Sequence, residues 1–298
     1  MAKAYYIGSG AMKMSNACQS IERSQSLSAA DFKRLSEFIY QELGIKMPGA
    51  KKTMLEGRLQ KRLRVLGFGS FRDYCDYLFS PQGSGSELIQ MIDLVTTNKT
   101  DFFREPEHFD YLRQKVLPEW ERKHPGKKLA VWSAGCSTGE EPYTLAMVLA
   151  EYAENCAGPD FQILATDIST RVLEKAKMAV YGEERVAPVP LLLKKKYLLR
   201  SKDKNSQLVR IVPELREKVR LRRLNFMDGD FGMREKLDII FCRNVIIYFD
   251  RQTQEKLLNR FYAHMAPGGY IFMGHSETLS GLDVPLTMVH PTVYRKLT

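Results

Sequence analysis

The chain lacks any apolar run approaching the ~20 residues that a membrane-spanning helix requires. Runs such as 239–242 and 245–249 are short and interrupted by charge, so membrane insertion is not expected. Cysteine is sparse and odd in number: the five (Cys18, Cys75, Cys136, Cys156, Cys242) form no C-x-x-C pair and have no histidines at ligand spacing. That argues against a structural zinc and for the reducing cytoplasm. Internal repeats are absent, and 80–86 is the only low-complexity stretch. Residues 1–20, with Gly8-Ser9-Gly10 at their centre, have no basic region leading into an apolar core, so no secretory signal is read there. Residues 1–27 read as a tail, natural or expression-derived. What is present is ordinary globular composition: 298 residues, 44% hydrophobic and 27% charged, enough for two domains. The formal net charge of +10 favours an acidic partner without choosing among nucleic acid, anionic membrane and acidic protein.

From Ser28, a helix N-cap candidate, Phe32, Leu35, Phe38, Ile39 and Leu43 recur at spacings of three and four and end at Gly44. A second helix over 54–66 carries Leu55, Leu59, Leu63 and Leu66 on one stripe and Arg58, Lys61, Arg62 and Arg64 on the rest. Residues 28–80 are thus expected to form a basic helical domain. Ser80-Pro81-Gln82-Gly83-Ser84-Gly85-Ser86 reads as a flexible linker, with 81–95 as linker and connecting helix before a second domain, 96–298. In that domain the short apolar runs 129–133, 161–166, 237–242 and 270–273 alternate with helical segments, the pattern of an α/β fold with a largely parallel sheet. Residues 198–222 break the alternation and predict a small antiparallel insertion, with strands at 208–212 and 219–221.

The stretch Val131-Trp132-Ser133-Ala134-Gly135-Cys136-Ser137-Thr138-Gly139-Glu140-Glu141 is a strand entering a glycine turn and then a helix. Its G-x-x-x-G spacing matches neither the dinucleotide nor the phosphate-loop pattern, and the acids that follow would repel a pyrophosphate. They suit a ligand with hydroxyls and a positive charge, such as S-adenosylmethionine; a tight ligand-free turn is the alternative. Asp167, closing the next strand, stands where a ribose diol is held in nucleoside-binding sheets, with an N-cap role as its alternative and Ser169 as an equal candidate for that cap. Arg243, Asn244 and Tyr248 follow the strand 237–242 and would face the same crevice. Cys136 and Cys242 are read as small buried hydrophobes.

Four runs then point one way: Thr96-Thr97-Asn98-Lys99-Thr100-Asp101-Phe102-Phe103-Arg104-Glu105, Ser137-Thr138-Gly139-Glu140-Glu141-Pro142-Tyr143, Phe241-Cys242-Arg243-Asn244-Val245-Ile246-Ile247-Tyr248-Phe249-Asp250 and Gly274-His275-Ser276-Glu277. In these, from about Ser28 to the C-terminus, the chain resembles the bacterial chemotaxis receptor methyltransferases, the CheR family. The resemblance implies an α/β fold: a Rossmann-like class I methyltransferase domain with a small N-terminal all-helical domain and an inserted antiparallel β-subdomain. It implies a protein-glutamate O-methyltransferase using S-adenosylmethionine, with S-adenosylhomocysteine as product and no metal. By motif, Asn98, Thr100, Arg104, Glu141, Asp167, Asn225, Phe226, Arg243 and Asn244 match cofactor-contacting positions, and Arg104 and Tyr248 match the pair that positions the reacting groups. It also implies that Arg58, Lys61, Arg62 and Arg64 dock on the cytoplasmic helical domain of transmembrane chemoreceptors. Some members add a receptor C-terminal peptide to the inserted subdomain; they carry glycines in its turn, and Arg200-Ser201-Lys202-Asp203-Lys204-Asn205-Ser206 has none. Two other classes stay open: a non-catalytic S-adenosylmethionine-binding regulatory module, and a methyltransferase acting on RNA or a small molecule. The sequence shows no aromatic-basic stacking surface or nucleic-acid module for RNA.

Overall fold

A computed structural model describes residues 26–297 apart from Ala157 and Lys204. The expected tail and Cys18 lie almost wholly or wholly outside the described residues. The chain divides into two compact units: Met1–Phe38 with Met47–Val95, and Ile39–Lys46 with Thr96–Thr298.

Described residues of the first unit are helical. α1 (Ala29–Leu43) starts at Ser28, whose hydroxyl oxygen accepts the Asp31 N–H at 3.0 Å, the expected N-cap. α2 (Lys52–Leu66) buries Leu55, Leu59 and Leu63 and stops at Gly67 in the left-handed region, φ +76°. α3 (Phe71–Leu78) and α4 (Ser86–Val95) complete the unit. The segment between them is not the flexible boundary its composition suggests. The Ser80 hydroxyl donates to the Tyr77 carbonyl at 2.6 Å, and the Gly83 and Ser84 N–H groups donate to the Ser80 carbonyl. A Cβ on Gly83 would stand 2.1 Å from the Tyr77 oxygen, so this glycine serves close approach of backbone to backbone. The unit therefore runs on through α4, and its end falls at Val95. One reason is Glu87 of α4: only 2% exposed, it accepts Arg62 Nε and Nη2 and the Tyr74 hydroxyl.

The second unit is built on a seven-stranded sheet. After α5 (Pro106–Tyr111), a π-helical turn (Leu112–Val116) and α6 (Leu117–Lys123) come β1 (Leu129–Ala134), α7 (Glu140–Cys156), β2 (Phe161–Asp167), α8 (Thr170–Met178) and β3 (Val180–Gly182). There follow α9 (Leu191–Tyr197), β4 (Leu198–Arg200), β5 (Leu208–Ile211), α10 (Pro213–Glu217), β6 (Val219–Arg223) and β7 (Leu237–Cys242). A 3-10 turn (Ile246–Tyr248), α11 (Arg251–His264), β8 (Met265–Met273), β9 (Thr287–His290) and β10 (Val293–Arg295) close the chain. The sheet order is β6-β2-β1-β7-β8-β10-β9; the first five strands are parallel and the last two join antiparallel. Strand side chains alternate between two faces. Val131, Ile163, Ile239 and Phe241 enter one core, and Trp132, Ile240, Cys242 and Ile271 the other. Burial on both faces is why these strands read as unbroken apolar runs.

The antiparallel insertion exists, but with different members: a three-stranded sheet of order β3-β5-β4. The segment 219–221, expected inside it, is part of β6, which pairs parallel with β2 at the edge of the main sheet, Ile163 opposite Val219. Lys218 alone separates α10 from β6, so the chain re-enters the main sheet without a turn signal. Pro267-Gly268-Gly269, of turn-forming composition, lies inside β8 at a register shift against β7. A Cβ on Gly269 would meet the Ala266 and Asp238 carbonyl oxygens at 2.9 and 3.0 Å, which explains a glycine there. No helix among the described residues is long and apolar enough to cross a membrane.

Candidate active site

The carboxyl ends of β1, β2, β6, β7 and β8 lie side by side in the second unit, and the loops leaving them carry the residues singled out above. β1 runs into the turn 135–139, whose Gly135, Ser137 and Gly139 all take positive φ (+87°, +49° and +97°). The turn is tied to β2 because the Gly135 and Cys136 N–H groups both donate to the Thr166 carbonyl at 2.8 Å. The Ser137 N–H then donates to Asp167 Oδ2 at 2.9 Å, while Asp167 Oδ1 accepts the Ser169 N–H at 2.9 Å. Asp167 is 8% exposed and is not the helix cap; Ser169 is, accepting the Val172 N–H at 3.3 Å.

Glu140 and Glu141 open α7 and are both buried. Glu140 accepts Arg185 Nη2 at 2.7 Å and the Thr138 hydroxyl at 2.6 Å. Glu141 accepts the Ser133 hydroxyl at 2.7 Å and Arg243 Nε at 2.8 Å. Arg243 lies over the Phe109 and Phe241 rings at 5.1 and 5.5 Å, and its Nη1 donates to the Arg104 carbonyl at 2.6 Å. Two residues the sequence marked as cofactor contacts thus grip one another.

The segment 98–105 folds over this pair. Asn98 receives the Ser137 hydroxyl on its carbonyl at 2.8 Å, Thr100 receives Arg185 on its carbonyl at 2.7 Å, and Phe102 packs edge-on against Tyr181. Phe103 and Glu105 adopt φ of +52° and +55°, an uncommon conformation for such residues, so Arg104 sits on a bent, constrained turn. The Arg104 guanidinium donates to the Lys99 carbonyl at 3.2 Å. Asn225 and Phe226 follow β6, with Asn225 Nδ2 donating to the Glu42 carbonyl at 2.7 Å. Tyr248 occupies the 3-10 turn after β7, and Asn244, with φ +59°, begins that loop.

Sequence reasoning missed several residues that hold the site. Glu277, only 3% exposed, accepts four backbone N–H groups: Val245 and Ile246 on Oε1, Asn244 and Gly274 on Oε2, all at 2.7–2.8 Å. Burial pushes its carboxyl up, and those four donors pull it back. Its presence in a quoted run was the available signal. His108, 1% exposed, accepts Arg243 Nη1 on Nδ1 at 3.3 Å; its Nε2 therefore carries the proton and donates to Thr292 Oγ1 at 2.8 Å. Burial and the neighbouring Arg243 push its pKa down to about 4. Nothing local in the sequence marks His108 or Arg185. Glu105, His108 and His275 bring ligand atoms within 4.8 Å of one another, but the Arg243 guanidinium already stands 3.4 Å from Glu105 Oε2 as the cation of that cluster. The Cys136 and Cys242 thiols are raised well above their ordinary range by burial, which leaves them unreactive.

Of the basic residues on α2, Arg62 is engaged with Glu87, and Arg58 Nη1 donates to the Val95 carbonyl at 2.5 Å. Lys61 and Arg64 are exposed.

A parallel sheet reversing direction beside its first strand, with a glycine turn after that strand and an acid closing the second, is the architecture of a Rossmann-like class I methyltransferase. The chain matches the CheR methyltransferase SAM binding domain over residues 98–295 and the CheR methyltransferase all-alpha domain over residues 30–96. It is 42% identical to a chemotaxis protein methyltransferase of Borreliella burgdorferi over 89% of this chain and 94% of that one. It is 41% identical to that of Klebsiella aerogenes over 90% of each, and 40% identical to that of Escherichia coli over 90% of this chain and 91% of that one. The chain belongs to the CheR family of chemotaxis methyltransferases, and its cofactor is S-adenosylmethionine. The donor set fits that cofactor: an acid beside an opened glycine turn suits ribose hydroxyls, and 135–139 carries no basic side chain for a phosphate.

Proposed function

We propose that this methyltransferase esterifies glutamate side chains on the cytoplasmic helical domain of chemoreceptors. The observation that carries this reading is the engagement of the site's own acids. Glu105, Glu140, Glu141, Asp167 and Glu277 each accept N–H or guanidinium donors, and buried His108 accepts Arg243, so none is poised to abstract a proton. A substrate carboxylate needs no base, because it is already ionised near neutral pH. Bound S-adenosylmethionine supplies an electrophilic sulfonium methyl. The chain's task is alignment, which in well-oriented systems accounts for about 7–11 kcal/mol of barrier. Asp167 holds the ribose, with Asn98, Thr100, Asn225, Phe226 and Asn244 shaping the surrounding pocket and Glu141 and Arg243 bracing it from behind. Arg104 orients the incoming carboxylate, and Tyr248 packs against the methyl.

In this reading the helical unit docks on an acidic receptor bundle through the exposed Lys61 and Arg64, and the protein works in the cytoplasm. High salt then raises the KM for receptor with little change in kcat. For a receptor C-terminal peptide the place to bind is the inserted three-stranded sheet, although its turn 200–206 lacks the glycines of members that bind one. A cavity of about 480 Å³ beside the three-stranded sheet is lined by Leu191, Leu198, Lys194, Lys195, Arg200 and Glu183, three cations against one acid, a mixture suited to an acidic, partly apolar peptide.

The test is to incubate the protein with methyl-labelled S-adenosylmethionine and receptor-bearing membranes, then release methanol with base. Base-labile label on the receptor, formed far more slowly by Tyr248→Phe or Arg104→Ala, is the expected result. Label on RNA, or cofactor binding with no transfer, overturns the reading.

A further inference from the structure

Eight residues far upstream of the site in sequence, Ile39–Lys46, belong to the methyltransferase unit. They comprise the end of α1 and the loop that follows, and they touch two of the site's loops at once. At the loop after β7, the Lys46 N–H donates to the Tyr248 carbonyl at 3.0 Å, and Ile45 forms an antiparallel bridge with Phe249. Beside them the Tyr40 hydroxyl donates to Asp250 Oδ2 at 2.5 Å, while Asp250 Oδ1 caps α11 by accepting the Thr253 N–H at 2.9 Å. Tyr248 is thus flanked by a main-chain bond on its own carbonyl and by fixed neighbours at 249 and 250. At the loop after β6, the Glu42 carbonyl accepts Asn225 Nδ2 at 2.7 Å, and Asn225 Oδ1 accepts the Met227 N–H at 3.0 Å. Both ends of the Asn225 amide are engaged in fixing the loop shape. Gly44 makes the close approach possible: its φ is +67°, and a Cβ there would stand 2.6 Å from Met227 Sδ and 3.1 Å from Thr253 Cγ2.

We infer that Ile39–Lys46 is a positioning strap, which sets the Tyr248 turn for methyl transfer and the 225–227 loop for the nucleoside. The segment touches no reacting atom in this scheme; it acts through the two loops. The inference rests on the role assigned to Tyr248 above. The geometry favours a strap over simple packing, because the contacts converge on the two loops that carry predicted site residues, and because Tyr40, 42% exposed, contributes little to the core.

Two variants of the full-length protein test it. Tyr40→Phe keeps the ring and removes the hydroxyl. It is expected to lower kcat about tenfold, equivalent to about 1.4 kcal/mol, with the KM for S-adenosylmethionine changed less than about twofold. Introduced into Tyr248→Phe, the same change should cost less than about twofold, because the residue through which it acts is already altered. A kcat equal to wild type, or an equal tenfold loss in both backgrounds, overturns the strap. Gly44→Ala is read by titration with S-adenosylhomocysteine, which requires no methyl acceptor. Displacement of the 225–227 loop should weaken binding about tenfold, again about 1.4 kcal/mol. Unchanged binding refutes the strap's second arm. If wild-type protein esterifies no receptor, the receptor reading fails, whereas the S-adenosylhomocysteine titration still decides whether Ile39–Lys46 positions the site.

Discussion

Glu277 is the most heavily used acceptor near the site, and exchanging it for glutamine isolates charge from shape. In the wild-type chain each carboxylate oxygen accepts two backbone N–H groups, Val245 with Ile246 and Asn244 with Gly274. In Glu277→Gln one oxygen still accepts two donors, but the new NH2 group faces the other two. Two charge-assisted hydrogen bonds are lost, each worth about 1.5–3 kcal/mol, and two buried N–H groups are left opposite a donor. Allowing for relaxation of the loop, the expected destabilisation is about 3 kcal/mol. For a unit of this size that corresponds to a Tm lower by about 6–12 °C. The affected donors begin the loop that carries Tyr248, so S-adenosylhomocysteine affinity should fall with Tm. Thermal denaturation followed by circular dichroism measures the first quantity, and calorimetric titration the second. Glu37→Gln, an exposed acid paired loosely with Lys33 at 3.7 Å, is the control and should leave Tm within about 1 °C. A Glu277→Gln protein that melts within about 2 °C of wild type would show that the four short bonds contribute almost nothing and would refute the reasoning.

Glu87→Gln removes the buried negative charge facing the Arg62 guanidinium and leaves one accepting oxygen where Arg62 and the Tyr74 hydroxyl use two, and should destabilise the helical unit by about 3 kcal/mol; a urea midpoint equal to wild type counts against it. Gly139→Ala places a methyl 2.8 Å from the Tyr181 hydroxyl at a backbone φ of +97°, and S-adenosylhomocysteine should bind about tenfold more weakly, the ~1.4 kcal/mol of one strained residue. Affinity within twofold of wild type would contradict that. His108 is neutral when folded, with a pKa near 4 against 6.5 for the free side chain, so the unfolded chain takes up a proton first as pH falls. Its contribution is therefore complete above pH 6.5 and is lost progressively towards pH 4, about 3 kcal/mol in all. Unfolding free energies measured across that window should fall less steeply in His108→Gln, and identical slopes would remove the assignment.

What could be read directly from the sequence depended on whether the deciding forces were local. β1, β2 and β7 are buried on both faces, so their apolar runs announced them. β9 is exposed on nearly every residue and is held by pairing with β10, and β3 is three residues long, so neither has a pattern of its own to detect. The same limit misplaced β6: Val219–Arg223 alternates like an insertion strand, and only its pairing with β2 assigns it to the main sheet. Glycine and serine at 80–86 suggested freedom, whereas Gly83 is there because Tyr77 leaves no room for a side chain.

The site divides along the same line. The glycine turn and Asp167 are joined by bonds between neighbouring strands, and residue type at the end of each strand was enough to expose them. Glu141 and Arg243 were also marked, but their types say only that a charge is needed, not which group meets it. The structure pairs them across 102 positions and stacks the arginine on two phenylalanines. Glu277 reaches back about thirty residues, and His108 reaches forward to Arg243 and Thr292. These longer connections hold rigid the loops that the local motifs supply. A substitution at Glu277, His108 or Tyr40 therefore tests something the motifs do not contain: whether methyl transfer depends on how firmly the loops are held as well as on which residues they present.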